Sequence, residues 1–161
     1  MQHIRTPWRH AYVTTVDKVE GCVMCTALEA AQAPESLVVH VAASCFVVMN
    51  LYPYNSGHVM VAPRRHVARL GDATPEELSE MMALARRLEQ QLGRLYAPDG
   101  FNVGMNLGRV AGAGVTGHIH LHVVPRWAGD TNFMSVLGET RVIPEDPLQA
   151  CRRLREQFAE P

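Results

Sequence analysis

The sequence has no charge excess of either sign: 15 lysines and arginines stand against 16 acidic residues, a formal net charge of −1. A broad electropositive surface for gripping a nucleic acid backbone is therefore not expected. Long apolar runs are missing too. The stretch from Leu37 to Met49 is interrupted by His40 and Ser44 and falls short of the ~20 residues that a membrane-spanning helix needs. The N-terminal Met1-Gln-His-Ile-Arg-Thr-Pro-Trp-Arg9 has no apolar core after its charges, so no secretory signal is expected and a reducing, cytoplasmic setting follows. Cysteine is sparse: four in 161 residues suit free thiols or metal ligands rather than a disulfide framework. Cys45 and Cys151 sit among apolar residues and read as packing. A small phosphorylated ligand stays open, because a phosphate site needs only a few well-placed donors.

The length suits one domain over 1–161 with a core of its own. Leu37–Val41 and Ser44–Asn50 are short, β-branched and separated by Ala42 and Ala43, the pattern of a hairpin; after the turn Tyr52–Gly57, His58–Ala62 reads as a strand stopped by Pro63. From Thr74 the period changes. Thr74 caps, Pro75 takes the first helical position, and Glu77 completes a capping box. The stripe Leu78, Met81, Met82, Ala85, Leu88, Leu92 and Leu95 then predicts an amphipathic helix whose methionines are core. Pro98-Asp99-Gly100 ends it, Phe101–Asn106 reads as a strand, and a glycine-rich loop runs from Gly108 to Gly117. A last helix, about 146–158, starts near Asp146 with Pro147 in its first turn and Leu148, Cys151, Leu154 and Phe158 on one side. Strands in succession with helices outside them predict an α+β fold around an antiparallel sheet.

The sharpest feature is His118-Ile-His120-Leu-His122-Val-Val124, in which histidine alternates with aliphatic residues. In a strand starting at His118, residues two apart share a face at about 6.6 Å, so three imidazoles would form a row while Ile119, Leu121 and Val123 enter the core. Imidazole titrates near neutrality, and such a row supplies a neutral nucleophile, a proton donor and a ligand or phosphate contact. Three surface histidines on a half-buried strand is the bland alternative. The preceding Gly112-Ala-Gly114-Val-Thr-Gly117 matches a dinucleotide-binding fingerprint by letter. That fingerprint must follow a strand and open a helix, whereas a strand pattern follows here. No organic cofactor is expected.

The alternating triad resembles the signature of the histidine-triad (HIT) family. The likeness extends to Trp8-Arg9, Gly21-Cys-Val-Met-Cys25, Asn50-Leu-Tyr-Pro-Tyr-Asn-Ser-Gly-His58, Pro125-Arg-Trp127 and Gly129-Asp-Thr-Asn-Phe133. These resemble the bacterial branch related to diadenosine tetraphosphate phosphorylases and hydrolases. The resemblance implies a five-stranded antiparallel sheet with flanking helices, usually a homodimer. It makes His120 the nucleophile toward an α-phosphate, His122 and His58 phosphate-contacting histidines, and Asn50 a ribose contact. His118 completes the catalytic triad. Asn106, Gly114 and Thr116 are expected to join them at the phosphates, since several relatives carry a loop glutamine or serine where this chain has Ala113-Gly114-Val115. His122 is retained where sugar-phosphate nucleotidyltransferases of the family carry glutamine, which favours hydrolysis or phosphorolysis of a dinucleoside polyphosphate. A nucleoside phosphoramidate hydrolase and a slow nucleotide-binding regulator are the alternatives.

Cys22-x-x-Cys25 could be a redox pair or half of a zinc site; Thr26 stands where a haem attachment motif needs histidine. A thioredoxin-like role needs a helix start after a strand, and Asp17–Gly21 is too polar to supply that strand. By resemblance, His66 and His118 complete a structural Cys2His2 zinc site with Cys22 and Cys25. Arg64, Arg65 and Arg126 are candidates for phosphate contact or plain solvated cations. Trp127 and Phe133 would stack on a base, close the pocket, or pack in the core. His3, His10 and His40 have no motif behind them.

Overall fold

The structure, a computed structural model, describes residues 21–130 and 145–159. In chain order it holds helix α1 (Val23–Glu29), strands β1 (Val38–Val41), β2 (Cys45–Met49) and β3 (Val59–Pro63), helix α2 (Pro75–Tyr96), strands β4 (Gly100–Gly104) and β5 (Leu121–Arg126), and helix α3 (Pro147–Ala159). Short 3-10 turns occupy Leu70–Asp72 and Arg109–Ala111. The strands form one sheet in the order β1-β2-β3-β5-β4, antiparallel at every pairing. This is the α+β, five-stranded architecture expected above.

The hairpin forms as expected, with Val41 opposite Phe46 and Ala42 N–H donating to the Cys45 carbonyl at 2.9 Å. β2 and β3 are buried along their whole length, because both faces of the sheet centre are covered. Cys45, Val47, Met49, Val59 and Val61 pack with α2 and α3. Phe46, Val48, Met60 and Ala62 pack on the other side with Met24 of α1. Strands covered twice read as continuous apolar runs rather than as alternation.

α2 carries its capping box: Thr74 Oγ1 accepts the Glu77 N–H at 3.2 Å, and Glu77 Oε2 accepts the Thr74 N–H at 2.8 Å. Its buried line is Met81, Leu84, Ala85, Leu88 and Leu92. One stripe assignment is corrected: Met82 is 59% exposed. At 100° per residue, Met82 falls just outside the arc centred on Met81, Ala85, Leu88 and Leu92, and Leu84 takes the place given to it. α3 starts where expected, with Asp146 Oδ1 accepting the N–H groups of Leu148 and Gln149, and it buries Cys151, Leu154 and Phe158.

Two strand boundaries differ from expectation. β5 begins at Leu121 rather than His118, and β4 is Gly100–Gly104 rather than 101–106. The last rung between them pairs Gly104 with His122. Before it, the chain is drawn off the sheet toward the end of β3: Ile119 N–H donates to the Val67 carbonyl at 2.7 Å, and His118 Nε2 donates to the Pro63 carbonyl at 2.8 Å. Residues Met105 and Asn106 are therefore left without a ladder partner and open the following loop.

Candidate active site

His120 is 5% exposed, and its Nδ1 donates to the carbonyl of His118 at 2.8 Å. That bond assigns the ring proton to Nδ1 and leaves Nε2 with its lone pair. Burial, partly offset by the same bond, holds the imidazole below its ordinary value, so the ring is neutral near pH 7. A neutral ring with a committed Nδ1 is what a nitrogen nucleophile requires.

His122 lies beside it, with ring centroids 4.8 Å apart. Its tautomer follows from a relay that starts in the turn before β3. The Tyr54 backbone N–H donates to Nδ1 of fully buried His58 at 3.0 Å. The His58 proton therefore sits on Nε2, which donates to Nδ1 of His122 at 2.9 Å. With Nδ1 accepting, His122 carries its own proton on Nε2 and is a hydrogen-bond donor. Gly57 makes the turn possible. Its φ is +73°, and a Cβ there would come within 3.0 Å of Tyr96 and 3.2 Å of Leu92, so only glycine fits.

His118 does not join this row. Its side chain faces the other way, with Nδ1 3.3 Å from Cys22 Sγ and 3.6 Å from Cys25 Sγ. Cys22 is the N-cap of α1 and Cys25 lies in its first turn, a helix that the sequence reading missed because Val23–Glu29 is too short to show a period. His66, on the exposed segment after β3, brings its Nδ1 to 3.5 Å from Cys25 Sγ. The four ligand atoms all lie within 4.8 Å of one another and could hold a metal ion. A tetrahedral ion with bonds of about 2.0–2.3 Å separates its ligand atoms by about 3.3–3.8 Å; the Cys–His spacings of 3.3, 3.5 and 3.6 Å lie in that range. The Pro63 carbonyl keeps the His118 proton on Nε2 and so leaves Nδ1 available, the outer-sphere arrangement typical of metal-ligating histidines. The residues therefore fit zinc. A reactive redox pair fits less well, since burial and the adjoining Cys22 hold the Cys25 thiol above its ordinary value.

An open cleft of about 340 Å³ runs along β4 and β5. Asn106 and His122 line one part of it, and Asn55, Asn102 and Arg126 line another. Arg126 makes a bidentate pair with Asp130, at 2.5 and 2.8 Å, which holds the Asp130 carboxyl far below the usual carboxylate range. Asn50 is placed differently. Its Oδ1 accepts the Tyr52 N–H at 2.9 Å, its amide nitrogen lies 3.4 Å from a His58 ring nitrogen, and it is not among the cleft-lining residues. Gly114 is half-buried and Thr116 exposed on the loop leading to His118. Of the other arginines considered, Arg64 donates to the carbonyls of Ala42 and Ala43 and Arg65 pairs with Glu77; both serve the fold. Trp127 Nε1 donates to the Tyr96 carbonyl at 3.4 Å. Trp8, Arg9, His3, His10 and Phe133 lie outside the described residues.

The HIT domain model matches residues 30–129. The chain belongs to the histidine-triad family. This HIT protein is 47% identical over 120 residues to an AP-4-A phosphorylase of Mycobacterium tuberculosis, an alignment covering 74% of the chain and 61% of that relative. It is 38% identical over 82 residues to the asymmetrical bis(5'-nucleosyl)-tetraphosphatase of Schizosaccharomyces pombe, covering 51% of the chain and 44% of the relative. The chain thus spans about three fifths or less of the length of these two enzymes. A zinc-bound histidine-triad protein from Mycobacterium smegmatis superposes with a TM-score of 0.68 at 30% identity, covering 87% of this chain and 94% of that one.

Proposed function

We propose that this HIT protein cleaves dinucleoside polyphosphates of the diadenosine tetraphosphate type at the α-phosphate, through a nucleotide carried covalently on His120. The observation that carries the reading is the bond from His120 Nδ1 to the His118 carbonyl, which leaves Nε2 as an uncharged nucleophile. In the first step Nε2 forms a bond to the α-phosphorus and the P–O bond to the rest of the polyphosphate breaks. The departing oxygen accepts a hydrogen bond from the Nε2–H of His122, whose tautomer is set through His58 and Tyr54, and leaves as the terminal oxyanion of the nucleotide. From diadenosine tetraphosphate, AMP stays on His120 and ATP leaves. In the second step an oxygen of water or inorganic phosphate attacks the phosphorus, the N–P bond breaks and returns its electron pair to His120 Nε2, and the proton of an attacking water passes to solvent. Water releases AMP; inorganic phosphate releases ADP. Two moderate barriers replace one high one. Asn106 and the loop around Gly114 and Thr116 are the donors for the charge on the nonbridging oxygens. The activities of the mycobacterial and fission-yeast relatives support the substrate class.

The same reading includes a structural zinc ion held by Cys22, Cys25, His66 and His118, supported by their donor spacing and by the zinc-bound mycobacterial neighbour. Four protein ligands leave no position for substrate, so the ion's contribution is to tie α1, the segment after β3 and the triad together.

The test is incubation with diadenosine tetraphosphate, with and without inorganic phosphate, beside a His120→Ala control. ADP plus ATP formed only with phosphate would make the protein a phosphorylase, and AMP plus ATP without it a hydrolase. The absence of any His120-dependent product would overturn the reading.

A further inference from the structure

His122, Val124 and Arg126 occupy alternate positions of β5 and all line the same cleft, with Asn102 opposite Val124 on β4. Four residues of strand place Arg126 about 13 Å along the sheet from His122. A single phosphate bound at His120 and His122 does not reach that far, whereas a tetraphosphate chain approaches the guanidinium, which reaches back along the strand to Asn102 opposite Val124.

The polar lining at that distance is Asn55, Asn102 and Arg126. The Arg126 guanidinium is held in place by three bonds: Nε and Nη2 to the two oxygens of Asp130, and Nη1 to Oδ1 of Asn102 at 2.5 Å. Asp130 is itself anchored by Asn55 Nδ2 at 2.7 Å and by the Trp127 N–H at 3.3 Å, and Asn55 also donates to the Pro125 carbonyl. Two of the five guanidinium N–H groups are not engaged by any described residue. Because Asn102 spends its oxygen on Arg126, its amide turns both N–H groups away from that bond. Fixed, planar donors of this kind match phosphate oxygens. Asp130 offsets the guanidinium charge, so the site would select by geometry and chain length rather than by drawing in any anion.

We propose that Arg126 and Asn102 form a specificity site that receives the distal phosphates of the leaving polyphosphate, so that the protein distinguishes dinucleoside polyphosphates from mononucleotide substrates of the same histidines. This rests on the α-phosphate chemistry assigned above to His120.

The experiment compares kcat and KM for diadenosine tetraphosphate and for adenosine 5'-phosphoramidate, a substrate with no distal phosphate, in the wild type, Asn102→Asp and Arg126→Lys. Asn102→Asp keeps a partner for Arg126 while setting a carboxylate against the distal phosphates. Arg126→Lys keeps a cation beside Asp130 and loses the fork. Each variant is expected to raise KM for the tetraphosphate about tenfold or more and to leave kcat/KM for the phosphoramidate within about twofold, with thermal melting of Asn102→Asp unchanged. Equal losses on both substrates, or no loss on either, would overturn the specificity site and leave the histidine chemistry standing. A wild type that turns over only the phosphoramidate would overturn both the specificity site and the polyphosphate reading. No turnover of either substrate would overturn the histidine chemistry and the specificity site with it.

Discussion

The carbonyl oxygen of His118 lies 2.8 Å from Nδ1 of His120, while the His118 side chain is turned 3.3 Å from Cys22 Sγ. One residue thus faces two centres: its main chain sets the tautomer of the proposed nucleophile, and its ring belongs to the Cys/His cluster. The Pro63 and Val67 carbonyls hold this joint from below. Whatever braces the cluster also braces His120.

Metal removal should therefore act on stability first and on catalysis through it. The purified protein is expected to carry about one equivalent of zinc, by the four-ligand fit. Chelation, or Cys22→Ser with Cys25→Ser, should lower the melting temperature by about 5 °C or more, the shift that ~2 kcal/mol produces at this chain length. Metal analysis and calorimetry check it; a metal-free preparation with unchanged melting would refute the zinc assignment.

Breaking the Tyr54–His58–His122 relay should lower turnover more than binding. In His58→Phe the hydrogen bond from His58 Nε2 to His122 Nδ1 is lost, so the tautomer that directs the His122 proton toward the leaving oxygen is no longer enforced. We expect kcat to fall about a hundredfold, the scale of one lost donor to the developing charge, with KM changed little. His58→Gln, which retains a donor, should recover part of the loss; equal kcat in wild type and His58→Phe would exclude the relay.

Gly57→Ala is expected to destabilise the fold by about 1–3 kcal/mol, from positive φ and an overpacked methyl. The methyl would press on Tyr96, Leu92 and Pro125. Because His58 is the next residue, turnover should drop as well, and denaturant melts with steady-state rates report both.

Glu77 links the α2 cap to Arg65, and the Arg65 bond, then the Thr74 N–H, holds its carboxyl below the ordinary value of 4.5. A depressed carboxyl contributes stability that is present above its unfolded pKa and lost as pH falls through the folded one. Melting temperature should thus fall on acidification below about pH 4.5, and Glu77→Gln, less stable at pH 7, should lose less over the same range. Parallel acid titrations of the two proteins would contradict this.

Much of this molecule was legible locally. The capping box Thr74-Pro75-Glu76-Glu77, the α2 stripe apart from Met82, and the Pro147 start of α3 are decided by neighbours a few residues apart, and each formed as expected. Met82 went astray because a stripe read at spacings of three and four has an uncertain edge, and only the elements packed against α2, the sheet and α3, decide which flank is covered. α1 is seven residues long, too short for a period, and it exists because Met24 fills the second face of the sheet.

The histidine strand divides along the same line. Alternation in His118–Val124 by itself determined that chemistry-bearing rings and core residues share this segment, and the motif spacing determined the family. Alternation also predicted a straight row of three rings, since local sequence carries no record of the carbonyls of Pro63 and Val67. Those acceptors, brought up by β3 and the segment after it, lift residues 118–120 off the ladder and turn His118 toward Cys22, Cys25 and His66. The division into a neighbouring pair of rings, His120 and His122, and a separate ring turned to the Cys/His cluster, like the alignment of Arg126 with Asn102, was decided only by tertiary structure, because it depends on hydrogen-bond partners from 24 to 96 positions away in the chain.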